Sequence, residues 1–160
     1  MALDHRVSPG SVTGLEGFDR LQRLHEAAVG CFDDRLDELT PGMRALTVLF
    51  VFCGEVDNGG FCSCMGNSAG DFTAEAIAAA RLVGADAHAE LFERFVAVGL
   101  AGDVAMPQPT RNARLLAMTG DDEAAITELD DAFYALPSID EDLERYVASR
   151  PEEFFTAPLS

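Results

Sequence analysis

The chain of 160 residues contains no lysine and no tryptophan, and its eleven basic residues are all arginines. Without a lysine amine, the chain can form neither a Walker A phosphate loop nor a lysine Schiff base. Long apolar runs are also missing, because the longest, Ala45–Cys53, is about half the length that spans a bilayer. The N-terminal segment lacks the apolar stretch of a signal peptide. The sequence therefore predicts a soluble, cytoplasmic protein that does not bind membranes.

Acidic residues dominate the charge, with 28 Asp and Glu against 11 arginines and a net charge of −17. A field of that sign repels nucleic acid and anionic lipid, so the sequence predicts no direct nucleic-acid binding and a basic protein as the partner. Residues 121–160 carry 12 acids and two arginines, whereas residues 1–120 carry 16 acids and nine arginines. An even solubility coat, the alternative explanation of the acidity, would not be concentrated in this way.

Apolar residues recur at helical spacing along most of the chain, and no segment shows the two-residue alternation of a half-buried strand. Thr40 followed by Pro41 predicts the start of a central buried helix over 41–56, although its β-branched and aromatic content also fits a buried strand. We predict an all-α fold with one compact domain, residues 13–160, after a flexible N-terminal arm, residues 1–12.

Two apolar stripes near the C-terminus predict a pair of amphipathic helices. The stripes are Ile126, Leu129, Phe133 and Leu136, and then Ile139, Leu143, Tyr146 and Val147. If these stripes face the core, a set of carboxylates is left exposed with few arginines nearby. The candidate acidic interaction surface is Asp121, Asp122, Glu123, Glu128, Asp131, Asp140, Asp142 and Glu144.

The glycine-rich stretch after the central helix contains two patterns associated with chemistry. Gly66–Gly70 matches the Gly-x-Ser-x-Gly string of a nucleophile elbow, but that motif needs a strand before the serine, so a turn between helices is favoured. Cys62 and Cys64, with Cys53 or Cys31, suggest a zinc site, but their spacing and the scattered histidines favour reduced, packed thiols. We predict no catalytic residue, no cofactor and no metal.

An Asn-Gly-Gly-Phe corner closes the central helix in this prediction. Asparagine and glycine adopt the left-handed conformation that ends a helix sharply, and the following phenylalanine returns to the core. An asparagine and a glycine further on mark the next corner. We predict a structural role for Asn58, Gly59, Gly60, Phe61, Asn67 and Gly70.

Several short motifs occur in a fixed order between about residue 41 and residue 155. They are Asn58–Phe61; Asn67, Ser68 and Gly70; Val83–Ala85; Leu129, Asp130, Phe133 and Tyr134; and Pro151–Phe154. The set resembles the core of a bacterial domain family without an assigned enzymatic function, whose best-known member is an acidic DNA-mimic protein. One departure is Ser63–Met65, where the family often has a glutamine and aromatics, so a shared partner contact at that corner does not follow.

The resemblance implies an all-α fold and admits a homodimer whose acidic surface imitates duplex DNA and occupies a DNA-binding regulator. Three interpretations of function stay open. The first is a non-enzymatic acidic interaction protein of the DNA-mimic type. The second is a general protein-binding or immunity-type module without mimicry. The third is an unrecognised enzyme or small-ligand binder, which a concave pocket with converging polar groups would favour.

Overall fold

The computed structural model describes residues 4–159, which form seven α-helices joined by loops and short 3-10 turns. The helices are α1 (Gly17–Ala28), α2 (Pro41–Gly66), α3 (Thr73–Leu82), α4 (Asp86–Gly99), α5 (Gln108–Leu116), α6 (Gly120–Ala135) and α7 (Asp140–Ser149). The 3-10 turns are Pro9–Val12, Val29–Cys31, Leu36–Glu38, Ser68–Phe72 and Pro151–Glu153. Within this described range no strand forms, so the prediction of an all-α fold is confirmed.

Helix α2 is the centre of the domain, as predicted. Its first turn is closed by the Thr40 hydroxyl, which accepts a hydrogen bond from the Met43 N–H at 3.3 Å, with Pro41 at the first helical position. Helices α1, α3, α5 and α6 all pack against it, and the side chains of Leu46 and Leu49 are fully buried. Among the described helices, α2 alone is long and apolar enough to cross a membrane. Over half of its most apolar stretch is buried by these neighbours.

At the predicted Asn-Gly-Gly corner the helix is interrupted, as expected, but a second helical segment follows at once, which the sequence analysis did not predict. The helix bends there and continues to Gly66, because only Gly59 (φ −157°, ψ 20°) and Gly60 (φ 68°, ψ −173°) leave helical geometry. Gly60 has a positive φ, as a left-handed corner requires, but Phe61 re-enters the helix immediately. The corner is a kink because side chains of α6 form hydrogen bonds with the backbone groups of α2 around the interruption.

The predicted end of the alanine-rich helix at Gly84 is confirmed. Gly84 has a φ of 81°, and the Ala85 N–H donates to the Ala80 carbonyl at 2.8 Å. This six-to-one hydrogen bond is the pattern of a helix ended by a left-handed glycine. The chain then turns directly into α4, so that α3 and α4 pack against each other.

The N-terminal segment over residues 4–12 is docked on the body of the domain, unlike the flexible arm that the sequence predicts. The Val7 N–H donates to the Phe154 carbonyl at 2.9 Å, and the Thr156 N–H donates to the Val7 carbonyl at 3.0 Å. Val7 and Val12 are both buried. Residues 1–3 of the predicted arm lie outside the described residues. The arm packs because a backbone partner from the far end of the chain, which local sequence does not reveal, is available to it.

Candidate functional site

The kink of α2 is held by one carboxylate of α6. The Phe61 N–H, which the kink frees from its helical partner, donates to Asp130 Oδ1 at 2.8 Å. Gly60 lies against that carboxylate, because a Cβ placed on Gly60 would be 2.5 Å from Asp130 Oδ2. Asp130 therefore caps the second half of α2, and the absence of a side chain at residue 60 allows it to approach. Burial raises the pKa of Asp130, and the Phe61 hydrogen bond opposes that shift.

Two further residues of α6 complete the contact between α6 and the kink of α2. The Tyr134 hydroxyl donates to the Val56 carbonyl at 3.0 Å, one helical turn before the kink. The Phe133 ring meets the buried Phe61 ring edge-on, with centroids 6.1 Å apart. The sequence motifs Asn58–Phe61 and Leu129 to Tyr134 are thus the two halves of one contact. Asn58 itself is exposed, just before the kink.

The second corner is built around Arg111, a buried residue that the sequence analysis did not single out. Its guanidinium donates to three backbone carbonyls, those of Met65 (3.2 Å), Met106 (2.7 Å) and Asn67 (2.8 Å), and to Asp71 at 2.7 Å. Five N–H donors allow one arginine to satisfy so many acceptors. The sequence did not indicate this buried role of Arg111, because a single arginine in a polar helix is normally exposed.

Gly70 lies against this arginine and against the end of α2. A Cβ at residue 70 would be 2.0 Å from the Cys64 carbonyl oxygen and 2.7 Å from Arg111 Nε. The chain reaches the exposed Ser68 from helix α2 and leaves it in a 3-10 turn, whereas a nucleophile elbow is fed by a strand. Gly66–Gly70 is therefore a turn between helices, and Asn67 ties it to α2 by donating to Glu55 and to Ser63 Oγ.

The four cysteines are free thiols. Burial raises the pKa of Cys53, Cys62 and Cys64, which keeps these thiols protonated and suits them to packing.

The neighbours of Cys31 come from the N-terminal segment and the turn before α2. Its Sγ is 3.3 Å from His5 Nε2, which is 3.8 Å from Glu38 Oε2. Both Glu38 oxygens already accept from Arg35, at 2.9 and 2.7 Å. A guanidinium at this position opposes a metal cation.

The five predicted acidic residues on α6 are all exposed. They are Asp121, Asp122, Glu123, Glu128 and Asp131. Among the described residues, none of these five carboxylates has an arginine or histidine nitrogen within 4.0 Å. Asp122 also caps its own helix, because it accepts from the Thr119 N–H at 2.9 Å, and this hydrogen bond lowers its pKa.

The three predicted acidic residues on α7 do not match the expectation of free, exposed carboxylates. Asp140, Asp142 and Glu144 are each half-buried. Glu144 is held by Arg20 of α1, whose Nε donates at 3.2 Å, and Asp142 accepts from Arg145 at 2.7 Å. The difference arises because α7 packs against α1, which supplies an arginine from a distant part of the sequence.

Three of the five unpaired acids of α6 lie on one side of the helix. At 100° per residue, Asp121, Glu128 and Asp131 lie within about 80° of one another around the helix axis. At 1.5 Å per residue they extend over about 15 Å along it. We call these three residues the α6 acidic face.

The comparisons with known proteins point to one family. No curated protein and no solved structure matches the chain. The family described as DMP19-like protein matches residues 37–150, which include α2 to α7 and both corners. Because this match covers more than two thirds of the sequence and contains the linked motifs of α2 and α6, the chain belongs to the DMP19-like protein family.

Proposed function

We propose that the protein is a non-enzymatic, acidic interaction protein that occupies the cationic surface of a basic DNA-binding protein, as a mimic of duplex DNA. The observation that carries this proposal is the α6 acidic face, whose carboxylates are exposed and have no arginine partner among residues 4–159. Unpaired like charges repel one another and lower the stability of the fold. A cationic surface relieves that repulsion and steers the partner toward the face.

The spacing of the face is compatible with this role. Along the helix axis Asp121 and Glu128 lie about 10.5 Å apart and Glu128 and Asp131 about 4.5 Å apart. These intervals are about three times and about one and a third times the rise of about 3.4 Å between phosphates along one strand. The free thiols support the cytoplasm as the place of action, since reduced cysteines persist there. A homodimer, which the family resemblance admits, would double the face, and light scattering on the purified protein tests that element.

The experiment is a pulldown from native lysate with two variants that each remove three negative charges. One variant changes the α6 acidic face: Asp121→Asn, Glu128→Gln and Asp131→Asn. It keeps Asp122, which caps the helix. The control changes three exposed, unpaired acids elsewhere: Glu16→Gln, Asp34→Asn and Glu90→Gln. We expect the α6 variant to lose the partner and the control to keep it, with circular dichroism unchanged in both.

Competition with duplex DNA separates mimicry from the alternative function. If the partner is released by excess duplex DNA and by added salt, the acidic face occupies a DNA-binding surface. A partner that stays bound in excess DNA and high salt would instead identify a general protein-binding module, the second candidate function.

A further inference from the structure

A concave pocket of about 310 Å³ lies beside the part of α2 that precedes the kink, between α1, α2, α4 and the α6–α7 corner. Small-molecule sites in proteins commonly start at this size, about 300 Å³. The pocket is separate from the α6 acidic face. None of the three residues of that face lines it. Its lining combines aromatic rings, two carboxylates and one buried imidazole.

Aromatic rings form one side of the pocket. Phe18 and Phe50 stack with their centroids 5.8 Å apart and their planes 14° from parallel. Phe18 is 55% exposed, and so is Tyr134, which also lines the pocket. Phe50 also stacks with His25, so Phe18 and Tyr134 are the exposed rings of the lining that are available to a ligand. A planar cation stacks well on the faces of such rings.

Two carboxylates face the same space from different helices. Asp57 comes from α2, just before the kink, and Asp140 is the first residue of α7. Neither forms an ion pair among the described residues, and no arginine lines the pocket. Burial raises the pKa of both carboxyls, and the negative charge of Asp57 adds to the shift at Asp140. The two acids therefore line one pocket that holds no arginine to neutralise them.

His88 of α4 supplies a buried polar group at the same pocket. Its side chain lines the pocket although the residue is only 5% exposed, and it forms no hydrogen bond with any residue in 4–159. Burial lowers the pKa of His88, so the imidazole is neutral near pH 7 and one of its nitrogens is a free acceptor. Among the described residues the fully buried side-chain nitrogens and oxygens without a partner are His25 Nδ1 and Thr47 Oγ1, so the His88 nitrogens meet the solvent of the pocket and are open to an N–H donor from a ligand.

These groups together select one class of ligand. An anion is repelled by Asp57 and Asp140, and a purely apolar molecule would leave both carboxylates without a counter-charge. A metal ion needs several ligand atoms close together, and among the described residues only His5, Cys31 and Glu38 bring three within 4.8 Å of one another. We propose that the pocket binds a guanidinium cation on an apolar stem, stacked on the aromatic rings, with its N–H groups donating to Asp57, Asp140 and His88.

The guanidinium has two sources with the same chemistry, an arginine side chain on a protein partner and a free alkylguanidinium metabolite. The inference depends on the pocket alone and not on DNA mimicry. It goes beyond the proposed function, because it assigns a defined ligand class to a site outside the α6 acidic face.

The experiment is an NMR titration of the isotope-labelled full chain with three probes. N-acetyl-arginine methylamide presents the side chain on a peptide backbone, ethylguanidinium presents the free cation, and N-acetyl-citrulline methylamide is the neutral isostere of the first. We expect saturable shift changes at Phe18, Gly54 and Tyr134 with at least one cation and none with citrulline. Binding of both cations indicates that a partner's arginine fits, whereas binding of ethylguanidinium alone indicates a free metabolite.

Variants complete the test. Asp57→Asn combined with Asp140→Asn should weaken binding of the cation at least tenfold. Asp121→Asn, a single charge removed about 20 Å away along α6, should leave it unchanged. Equal binding of citrulline, unchanged binding in the double variant of a folded protein, or no saturable shift with either cation would overturn the proposal. The titration contains no partner protein, so its outcome is independent of the pulldown with the α6 variant.

Discussion

Helices α6 and α7 follow each other in the sequence, and both pair an apolar stripe with a run of acids, yet their carboxylates have different surroundings. On α6 five of them are exposed and have no arginine within 4.0 Å among the described residues, whereas Asp130 is half-buried and caps Phe61. On α7 three of the four are half-buried, and Arg20 and Arg145 hold two of these, whereas Glu141 is exposed. The number of acids in a segment therefore does not fix the field outside it. The field depends on which helices pack beside the segment and on the arginines they supply.

The largest expected effect on stability concerns the contact between α6 and the kink of α2. Gly60→Ala should lower the free energy of unfolding by about 2–3 kcal/mol, since its φ and ψ are nearly exclusive to glycine and the new methyl displaces Asp130. Gly59→Ala is the control. Its φ is negative and its Cβ would meet only the flexible Ser63 side chain, so we expect less than about 1 kcal/mol. Urea denaturation measures both, and equal losses would contradict the account of the kink.

The next test concerns the pairing of Glu144 on α7 with Arg20 on α1. Arg20→Ala should lower stability by about 1–2 kcal/mol, because it leaves the half-buried Glu144 without its partner. Arg23→Ala is the control, since Arg23 and Glu26 form an exposed pair at 3.8 Å and such pairs contribute less than about 1 kcal/mol. Adding Glu144→Gln to Arg20→Ala should restore part of the loss in thermal or urea unfolding. A similar loss in both single variants would mean that Glu144 is as solvated as the acids of α6.

A defined polycation compares the two helices directly. Glu128→Gln with Asp131→Asn on α6, and Asp142→Asn with Glu144→Gln on α7, each remove two negative charges. We expect the α6 variant to weaken binding of a deca-arginine peptide about three- to tenfold and to flatten its salt dependence, because its carboxylates are free to meet the cation. The α7 variant should change the affinity less. Fluorescence anisotropy at several salt concentrations measures both, and a larger effect of the α7 variant would reverse the comparison.

The smallest expected effect concerns Asp57, a carboxylate of the pocket, and the way its contribution to stability changes with pH. Burial raises the pKa of Asp57 above that of the unfolded chain, so its favourable contribution is present at low pH and is lost as pH rises through the folded-state pKa. Asp57→Asn should then raise stability at pH 7 by a few tenths of a kcal/mol, a small gain because solvent screens a charge this exposed. The gain should vanish below about pH 3.9, the ordinary pKa of aspartate.

The control for that measurement has the opposite sign. Asp121 lies in the first turn of α6, where a negative charge interacts favourably with the helix dipole, so Asp121→Asn should lower stability slightly at pH 7. Thermal unfolding of the two variants from pH 3 to pH 8 measures both. A loss of stability in Asp57→Asn at pH 7 would contradict a desolvated carboxylate at the pocket.

The sequence by itself determined the features that depend on neighbours along the chain. The stripes of α6 and α7 place Leu129 and Leu143 in the core, Thr40 caps α2, and Gly84 ends α3. These follow from the helical repeat of 3.6 residues and from the backbone freedom of single residues, both readable within a few positions. The net charge, the missing lysine and the family motifs are likewise properties of the sequence alone.

Only the tertiary structure decided which of those features meet. Asp130 caps Phe61 across 69 positions of sequence, and Arg20 reaches Glu144 across 124. The burial of Arg111, the docked N-terminal segment, the continuation of α2 past its glycines and the pocket at Asp57 and Asp140 all depend on such contacts. A carboxylate's charge is set by its own chemistry. Whether that charge is paired, buried or free is set by distances between helices, and those distances follow from how all seven apolar faces pack together.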